Sequence, residues 1–446
     1  MKNILVIGAG KSAVTLIDYL LNESEKSNWN ITIADYNLNL ALKSTNNHIN
    51  SRPIFFDIND VNQRNKEIDR ADIVVSMLPA SMHVLVAKDC ISFKKHLVTA
   101  SYVSKEINGL DNQAKDNGVL LLNEIGLDPG IDHMSAMKII DDLKSQGANI
   151  TSFKSYCGGL IHPDFDNNPW HYKFTWNPRN VVLAGQGNAK YLENNQEKTI
   201  AYSDLFSATE QMTILDAGVF EGYANRDSLS YKHAYGIDDI STLFRGTLRK
   251  IGFCNAWNIF VQLKMTDDSY KLENSENYTN REFLNKFLQD NDALSVEQKL
   301  CKQFNLTIDS EDFKKIAWLG LFEDIKVEIH DASPAQILQT ILEKKWKLGI
   351  VDKDMIVMQH QFEYIQNGEQ KKLNSSLVVF GDDPRFTAMA KTVGLPVAIA
   401  IKLILNGEIK SIGVKIPTTK DIYIPVLKEL EENGINFIEE KFQCQN

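Results

Sequence analysis

A short apolar run at residues 4–7 feeds straight into Gly8-Ala9-Gly10-Lys11-Ser12-Ala13, and a helical pattern over residues 12–21 follows. Strand, glycine turn and helix in that order match GxGxxA, the dinucleotide fingerprint with alanine in its third position. Each small residue has a physical reason. Gly8 permits the tight turn, Gly10 lets the backbone approach a pyrophosphate, and Ala13 keeps helix and strand close. The unpaired N–H groups and the dipole of the helix N-terminus favour the anion. The alternative is a glycine-rich turn with no ligand. Against it stands the setting: a second strand over residues 30–34 ends at Asp35, where an acidic side chain accepts from ribose hydroxyls. Gly8, Ala9, Gly10, Lys11, Ser12, Asp35 and Tyr36 are the cofactor residues this pattern selects.

The alternation continues. Residues 52–56, 72–77, 96–100 and 119–123 read as strands, with helices between them over 82–92 and 105–117. That spacing predicts a parallel sheet with helices on both faces. The character changes at Gly126-Leu127-Asp128-Pro129-Gly130, after which a helix runs to residue 146. Further strands are expected over 150–156, 354–364 and 377–381, and helical stretches over 280–325 and 385–405, the latter kinked or broken at Pro396. The expected fold is α/β. A Rossmann-like dinucleotide-binding domain covers residues 1–128 and is completed by 390–446, including a last helix over 426–433. A mixed α/β substrate domain with a helical insertion covers 129–389.

A chain of 446 residues exceeds one ordinary core, so two or three domains are expected. The formal net charge of −10 argues against nucleic-acid binding but leaves room for an anionic substrate at a local arginine cluster. The longest apolar segment, 393–405, is interrupted by Gly394, Pro396 and Lys402, so no membrane span is expected. Cys90, Cys157, Cys254, Cys301 and Cys444 are few, odd in number and widely spaced. They read as reduced thiols in a cytoplasmic protein, without metal-ligand spacing.

Dinucleotide binding does not define the reaction. Other strings carry more: Val98-Thr99-Ala100-Ser101-Tyr102, Asn123-Glu124-Ile125-Gly126-Leu127-Asp128-Pro129-Gly130-Ile131-Asp132-His133, and Ser155-Tyr156-Cys157-Gly158-Gly159-Leu160. Asn168-Pro169 with Tyr172-Lys173-Phe174, Tyr223-Ala224-Asn225-Arg226-Asp227-Ser228 and Arg245-Gly246-Thr247-Leu248-Arg249 complete the set. Together, from the glycine loop to the helix at 388–406, the chain resembles the glutamate-forming saccharopine dehydrogenases. It departs from that pattern at Ala80, where an aromatic residue is common, and at Leu160-Ile161-His162-Pro163-Asp164 after the double glycine. The resemblance implies reversible oxidation of saccharopine, lysine joined to glutamate through a secondary amine. The imine is hydrolysed to glutamate and 2-aminoadipate 6-semialdehyde. A homodimer is implied as well.

Three substrate carboxylates need cations, and the arginine fork suits them. The resemblance selects Arg226 and Arg249, with Thr247 and Leu248 in the same contact string. Ordinary surface salt bridges are the competing reading for both arginines. Ser101 and Tyr102 follow the fifth strand, where carboxyl ends face the cofactor crevice. Leu127, Asp128 and Pro129 match a loop that meets cofactor and substrate, and Asp128 alternatively caps a turn or helix. Asp57, Ile58, Leu78 and Ala100 complete the expected cofactor set. Removing a hydride from the amine needs an unprotonated nitrogen, and water must then be activated. Asp128, Tyr102 and Cys157 are the catalytic candidates, with His133, His162 and His171 as further titratable groups. Cofactor and substrate are expected to meet between the two domains.

Asp35 is followed by Tyr36, Asn37, Leu38 and Asn39, none of them basic, so NAD is expected in preference to NADP. A carboxynorspermidine or lysine 6-dehydrogenase, or a non-catalytic nucleotide-binding regulator, are the alternatives.

Overall fold

The structure is a computed structural model that describes residues 1–291 and 293–443, so Cys444 lies outside the described residues. The chain divides into two compact units. One comprises Met1–Asn149 and Val379–Phe437; the other comprises Ile150–Val378 and the chain from Ile438 onward. Sequence reading placed the boundaries at 128 and 390. The first moves because the helix Ile131–Ser145 packs with Lys420–Glu432, where Tyr423 Oη donates to Asp141 Oδ2 at 2.6 Å.

The first unit is built on seven parallel strands. They are β1 (Lys2–Ile7), β2 (Trp29–Asp35), β3 (Ser51–Phe55), β4 (Ile73–Ser76), β5 (His96–Val98), β6 (Leu120–Leu122) and, late in the chain, β15 (Gly413–Lys415). Their order is β15-β6-β5-β4-β1-β2-β3. β1 and β4 are buried on both faces, as central strands of a helix-covered parallel sheet must be. The strand order reverses between β1 and β4, and ligands of such sheets bind outside the carboxyl ends of the strands there. The expected 105–117 helix is two short pieces, Lys105–Asn108 and Asp111–Asp116.

The helix Ala388–Leu405 runs unbroken through Pro396, where a kink or break was expected. It begins three residues late because Thr387 caps it, accepting from the Ala390 N–H at 2.9 Å. By length and composition this helix is long and apolar enough to cross a bilayer, contrary to the sequence reading, and 78% of it is buried inside the protein.

The second unit holds a nine-stranded mixed sheet. Its strands are β7 (Asn149–Ile161), β8 (Ala189–Glu193), β9 (Gln196–Ile200), β10 (Thr209–Thr213), β11 (Val219–Ala224), β12 (Thr242–Lys250), β13 (Asp354–Gln366), β14 (Glu369–Phe380) and β16 (Phe437–Gln443). The main order is β10-β11-β12-β7-β13-β14-β16, with β8 and β9 branching from β12. Most of the segment expected to complete the first unit does so, through Phe437, whereas β16 pairs with the second sheet. The expected helical stretch resolves into Asn280–Asn285, Val296–Phe304 and Glu311–Trp318. Thr279 and Ser295 form capping boxes at the first two. Trp170, Trp257 and Trp346, all fully buried, anchor the core between these helices and the sheet.

Candidate functional site

The glycine loop has the geometry its sequence requires. Gly8 sits at φ 103°, and a Cβ there would lie 2.9 Å from the Met77 carbonyl oxygen. Only glycine fits. At Gly10, by contrast, a Cβ would meet nothing within 4 Å, so the backbone is open to an approaching group. Lys11–Ala13 forms a 3₁₀ turn that leads into the helix Val14–Ser27, and Ala13 is buried. Asp35 reaches across from the end of β2. Its Oδ2 accepts from the Ala9 N–H at 2.7 Å and its Oδ1 from the Asn37 N–H at 2.7 Å. Tyr36 is 72% exposed and tilted against Phe55, with ring centroids 5.4 Å apart. An open cradle at a helix start, with a fixed carboxylate one strand away, fits a dinucleotide. Of the remaining cofactor residues, Asp57 accepts from the Asn59 N–H at 2.9 Å, whereas the Ile58 side chain packs into the core. Leu78 is half-buried in the segment after β4.

At the carboxyl end of β5, the loop carrying Ala100, Ser101 and Tyr102 is held from several sides. His83, the first residue of the helix His83–Ser92, places Nε2 2.6 Å from Ser101 Oγ. Its Nδ1 lies 2.8 Å from Ser76 Oγ, at the end of β4. Glu124 donates its backbone N–H to the Ser101 carbonyl at 3.0 Å, and its carboxylate accepts from the Val103 N–H at 2.9 Å. The other carboxylate oxygen meets buried His133 Nε2 at 2.9 Å. Tyr102 Oη lies 3.4 Å from Asp128 Oδ1, a long hydrogen bond between two of the catalytic candidates. Leu127 and Pro129 are buried in the tight turn that presents Asp128. That turn depends on Gly130, at φ 147°, where a Cβ would fall 2.1 Å from the Gly126 carbonyl oxygen.

In the second unit, strand register gathers a separate group. Cys157 of β7, Thr247 of β12 and Tyr223 of β11 stand abreast, so their side chains share one face of the sheet. Arg249, two residues along β12, joins them there. Its guanidinium lies over the rings of Tyr172, Phe253 and Tyr223, at 5.2, 5.3 and 5.8 Å from their centroids. Nη1 donates to the Leu248 carbonyl at 2.9 Å. Nε is buried without a hydrogen-bond partner among the described residues. Glu221, directly opposite Arg249 in the register, turns instead to the Cys254 N–H at 2.7 Å. No carboxylate among the described residues pairs with Arg249. Burial pushes the Tyr223 hydroxyl up to about 12, so it is a neutral donor at ordinary pH.

Other expectations are placed less favourably. The Leu248 side chain is fully buried on the opposite face of the sheet, in the cluster with Tyr156, Phe220 and Val357, which leaves only its backbone for a ligand. Cys157 lies inside β7 rather than after it, and is buried. Arg226 is exposed, at φ 52°, two residues beyond the end of β11. It stands roughly 16 Å along the strand from Arg249 at about 3.3 Å per residue. Sequence reasoning missed His83 and the aromatic wall of Tyr172 and Tyr223. His83 has no motif around it, and the rings come from separate strings joined only by tertiary structure. His171 pairs with Asp166 at 2.8 Å at the surface, and His162 is half-buried beside it in sequence.

Comparison with known proteins gives this arrangement its family. A model of the saccharopine dehydrogenase NADP binding domain matches residues 4–122, and one of the saccharopine dehydrogenase C-terminal domain matches residues 126–435. The chain belongs to the saccharopine dehydrogenase family. It is therefore a pyridine-nucleotide oxidoreductase of the type acting on CH–NH groups. Similar family members include saccharopine dehydrogenase (NADP(+), L-glutamate-forming) of Pyricularia oryzae, 34% identical over 441 residues and 97% of each chain. The Saccharomyces cerevisiae protein of the same name is 34% identical over 452 residues and 99% of each. Mouse mitochondrial alpha-aminoadipic semialdehyde synthase is 34% identical over 98% of this chain and 47% of its own. The solved structure of the apo yeast saccharopine dehydrogenase (L-Glu forming) superposes with a TM-score of 0.89 at 33% identity. That match covers 99% of this chain and all of the yeast one.

Proposed function

We propose that the chain oxidises saccharopine to glutamate and 2-aminoadipate 6-semialdehyde, reversibly and with NAD, as a step of lysine metabolism. The observation that carries this reading is Arg249: a buried cation with an unpaired Nε, caged by three rings and left without a carboxylate. A buried charge lacking its counterion is strongly disfavoured, so the site calls for an anionic ligand. Arg226 serves a second carboxylate.

Gly8, Gly10 and Asp35 would hold the dinucleotide, which supplies the hydride acceptor when bound. The protein's own part is to bind, orient and move protons. The hydride leaves from the lysine-derived carbon bonded to the bridging nitrogen, and that nitrogen's proton departs, so the imine forms at this carbon. Water then adds to the imine carbon and the C–N bond breaks, releasing the amine of glutamate. Asp128 with Tyr102, linked through their 3.4 Å contact, is the pair we assign to those proton transfers.

NAD is preferred in this reading because Asp35 ends β2 and the next four residues carry no cation. The fungal relatives bear NADP(+) in their names, so the cofactor is a point where this chain is proposed to differ from them. The test is turnover of saccharopine, lysine and carboxynorspermidine by the purified protein with each nucleotide. Saccharopine with NAD should give the highest kcat/KM. Preference for either other amine would replace the substrate assignment, and nucleotide binding without any turnover would favour a regulator.

A further inference from the structure

Ser101 is half-buried, at the carboxyl end of β5, and its hydroxyl reaches His83 Nε2 at 2.6 Å. Behind the ring, Ser76 is fully buried and its hydroxyl meets Nδ1 at 2.8 Å. Burial pulls the imidazole down to about 4, so the ring is neutral at ordinary pH, with one N–H and one lone pair. Two hydrogen-bond directions are then conceivable. If Nδ1 carried the proton, it would donate to Ser76. The Ser76 hydroxyl proton would then be left, fully buried, with no acceptor among the described residues, and a buried donor without an acceptor is costly. If Nε2 carries it, Ser76 donates to Nδ1 and Nε2 donates to Ser101. Every buried donor is then satisfied. The one hydroxyl proton left over belongs to Ser101, which faces the ligand end of the sheet.

We propose that His83 is a positioning residue: the Ser76–His83–Ser101 relay fixes the Ser101 hydroxyl as an outward hydrogen-bond donor to a carboxylate or carboxamide oxygen of the bound ligand. The direction is set by burial of Ser76, two side chains away from the ligand. This rests on the proposed reading of the site, in which Ser101 touches ligand. It adds the reason that Ser101 donates there rather than accepts.

The isosteres separate the two halves of the relay. In His83→Gln the amide nitrogen falls where Nε2 was and keeps the bond to Ser101. In His83→Asn the shorter amide keeps only Ser76. The Gln variant should retain most of kcat/KM with saccharopine. The Asn variant and Ser101→Ala should each lose about ten- to a hundredfold, the worth of one hydrogen bond to a charged group. The double variant His83→Asn, Ser101→Ala should lose no more than Ser101→Ala alone, because both act through one hydroxyl. Losses that add, or equal losses in Gln and Asn, would overturn the proposal and leave His83 a packing residue. Nitrogen-15 imidazole shifts of the full-length protein give a readout independent of turnover. They should show the Nε2–H tautomer for His83, and an Nδ1–H tautomer overturns the proposal even if saccharopine proves not to be the substrate.

Discussion

The Ala9 backbone N–H and the Asp35 carboxylate meet at 2.7 Å, which ties the glycine loop to the end of β2. With its other oxygen held by Asn37, the carboxylate is immobilised while each oxygen keeps capacity for a ribose hydroxyl. A phosphate in place of that hydroxyl meets fixed negative charge. The protein should therefore give higher kcat/KM with NAD than with NADP. An Asp35→Ser, Tyr36→Arg double variant should move the ratio toward NADP by roughly ten- to a hundredfold, the worth of a charge-assisted bond. An unaltered protein that prefers NADP contradicts this, and places the phosphate on Lys11 or Lys43.

Arg249 should be worth more to substrate binding than to the fold. Replacing a buried, incompletely paired cation by an apolar side chain of similar volume is often neutral or stabilising. Arg249→Met should accordingly melt at or above the temperature of the unaltered protein. It should lose about ten- to a hundredfold in kcat/KM for saccharopine, with nucleotide affinity retained. Unchanged turnover, checked beside the melting curve, returns Arg249 to a structural role.

His83 makes stability fall with acid. The unfolded chain takes up a proton near pH 6.5, whereas the buried ring resists until about 4. Between those values the unfolded state binds more protons, so this contribution is intact above pH 6.5 and lost as the pH falls toward 4. At 1.36 kcal/mol per pKa unit the loss approaches about 3 kcal/mol. Urea unfolding of His83→Gln across that window should show a shallower decline than the unaltered protein. Identical slopes exclude the effect.

Lys173 lies within one of the strings that carry the family resemblance, yet the structure gives it a different task from Arg249. Its Nζ meets Asp352 Oδ2 at 2.7 Å with both side chains buried, and the same oxygen accepts from the Gly349 N–H at 2.6 Å. Lys173→Met leaves a buried unpaired carboxylate and should destabilise by about 3–5 kcal/mol. Adding Asp352→Asn to it should recover part of that stability. A single variant as stable as the parent would mean that Asp352 finds water or another partner.

The first unit was the more legible in the sequence because its strands are short apolar runs closed by local signals. The turn at Gly8 and the acid at Asp35 sit where a single motif predicts them. The second unit was harder for a physical reason. β11 and β12 mix buried arginine, glutamate and glycine with apolar residues, so their alternation is blurred, and the group around Arg249 forms only through cross-strand register. The Leu248 side chain points away from the group around Arg249 because adjacent strand residues face opposite sides of the sheet. Of the kink or break anticipated at Pro396, the break did not occur, since packing of a nearly all-apolar helix outweighs one missing hydrogen bond. His83 stood in plain sight but without a partner in sequence, because Ser76 ends β4 and Ser101 lies in the loop after β5.

Saccharopine as substrate stands or falls on its turnover. The most direct measurement is initial-rate formation of reduced nucleotide by the purified chain with saccharopine, with glutamate and the semialdehyde quantified as products. NAD-linked turnover should form one glutamate per nucleotide reduced and should decline sharply in Arg249→Met. Tight nucleotide binding with no glutamate formed from saccharopine under any condition, or a faster reaction with another secondary amine, would contradict it.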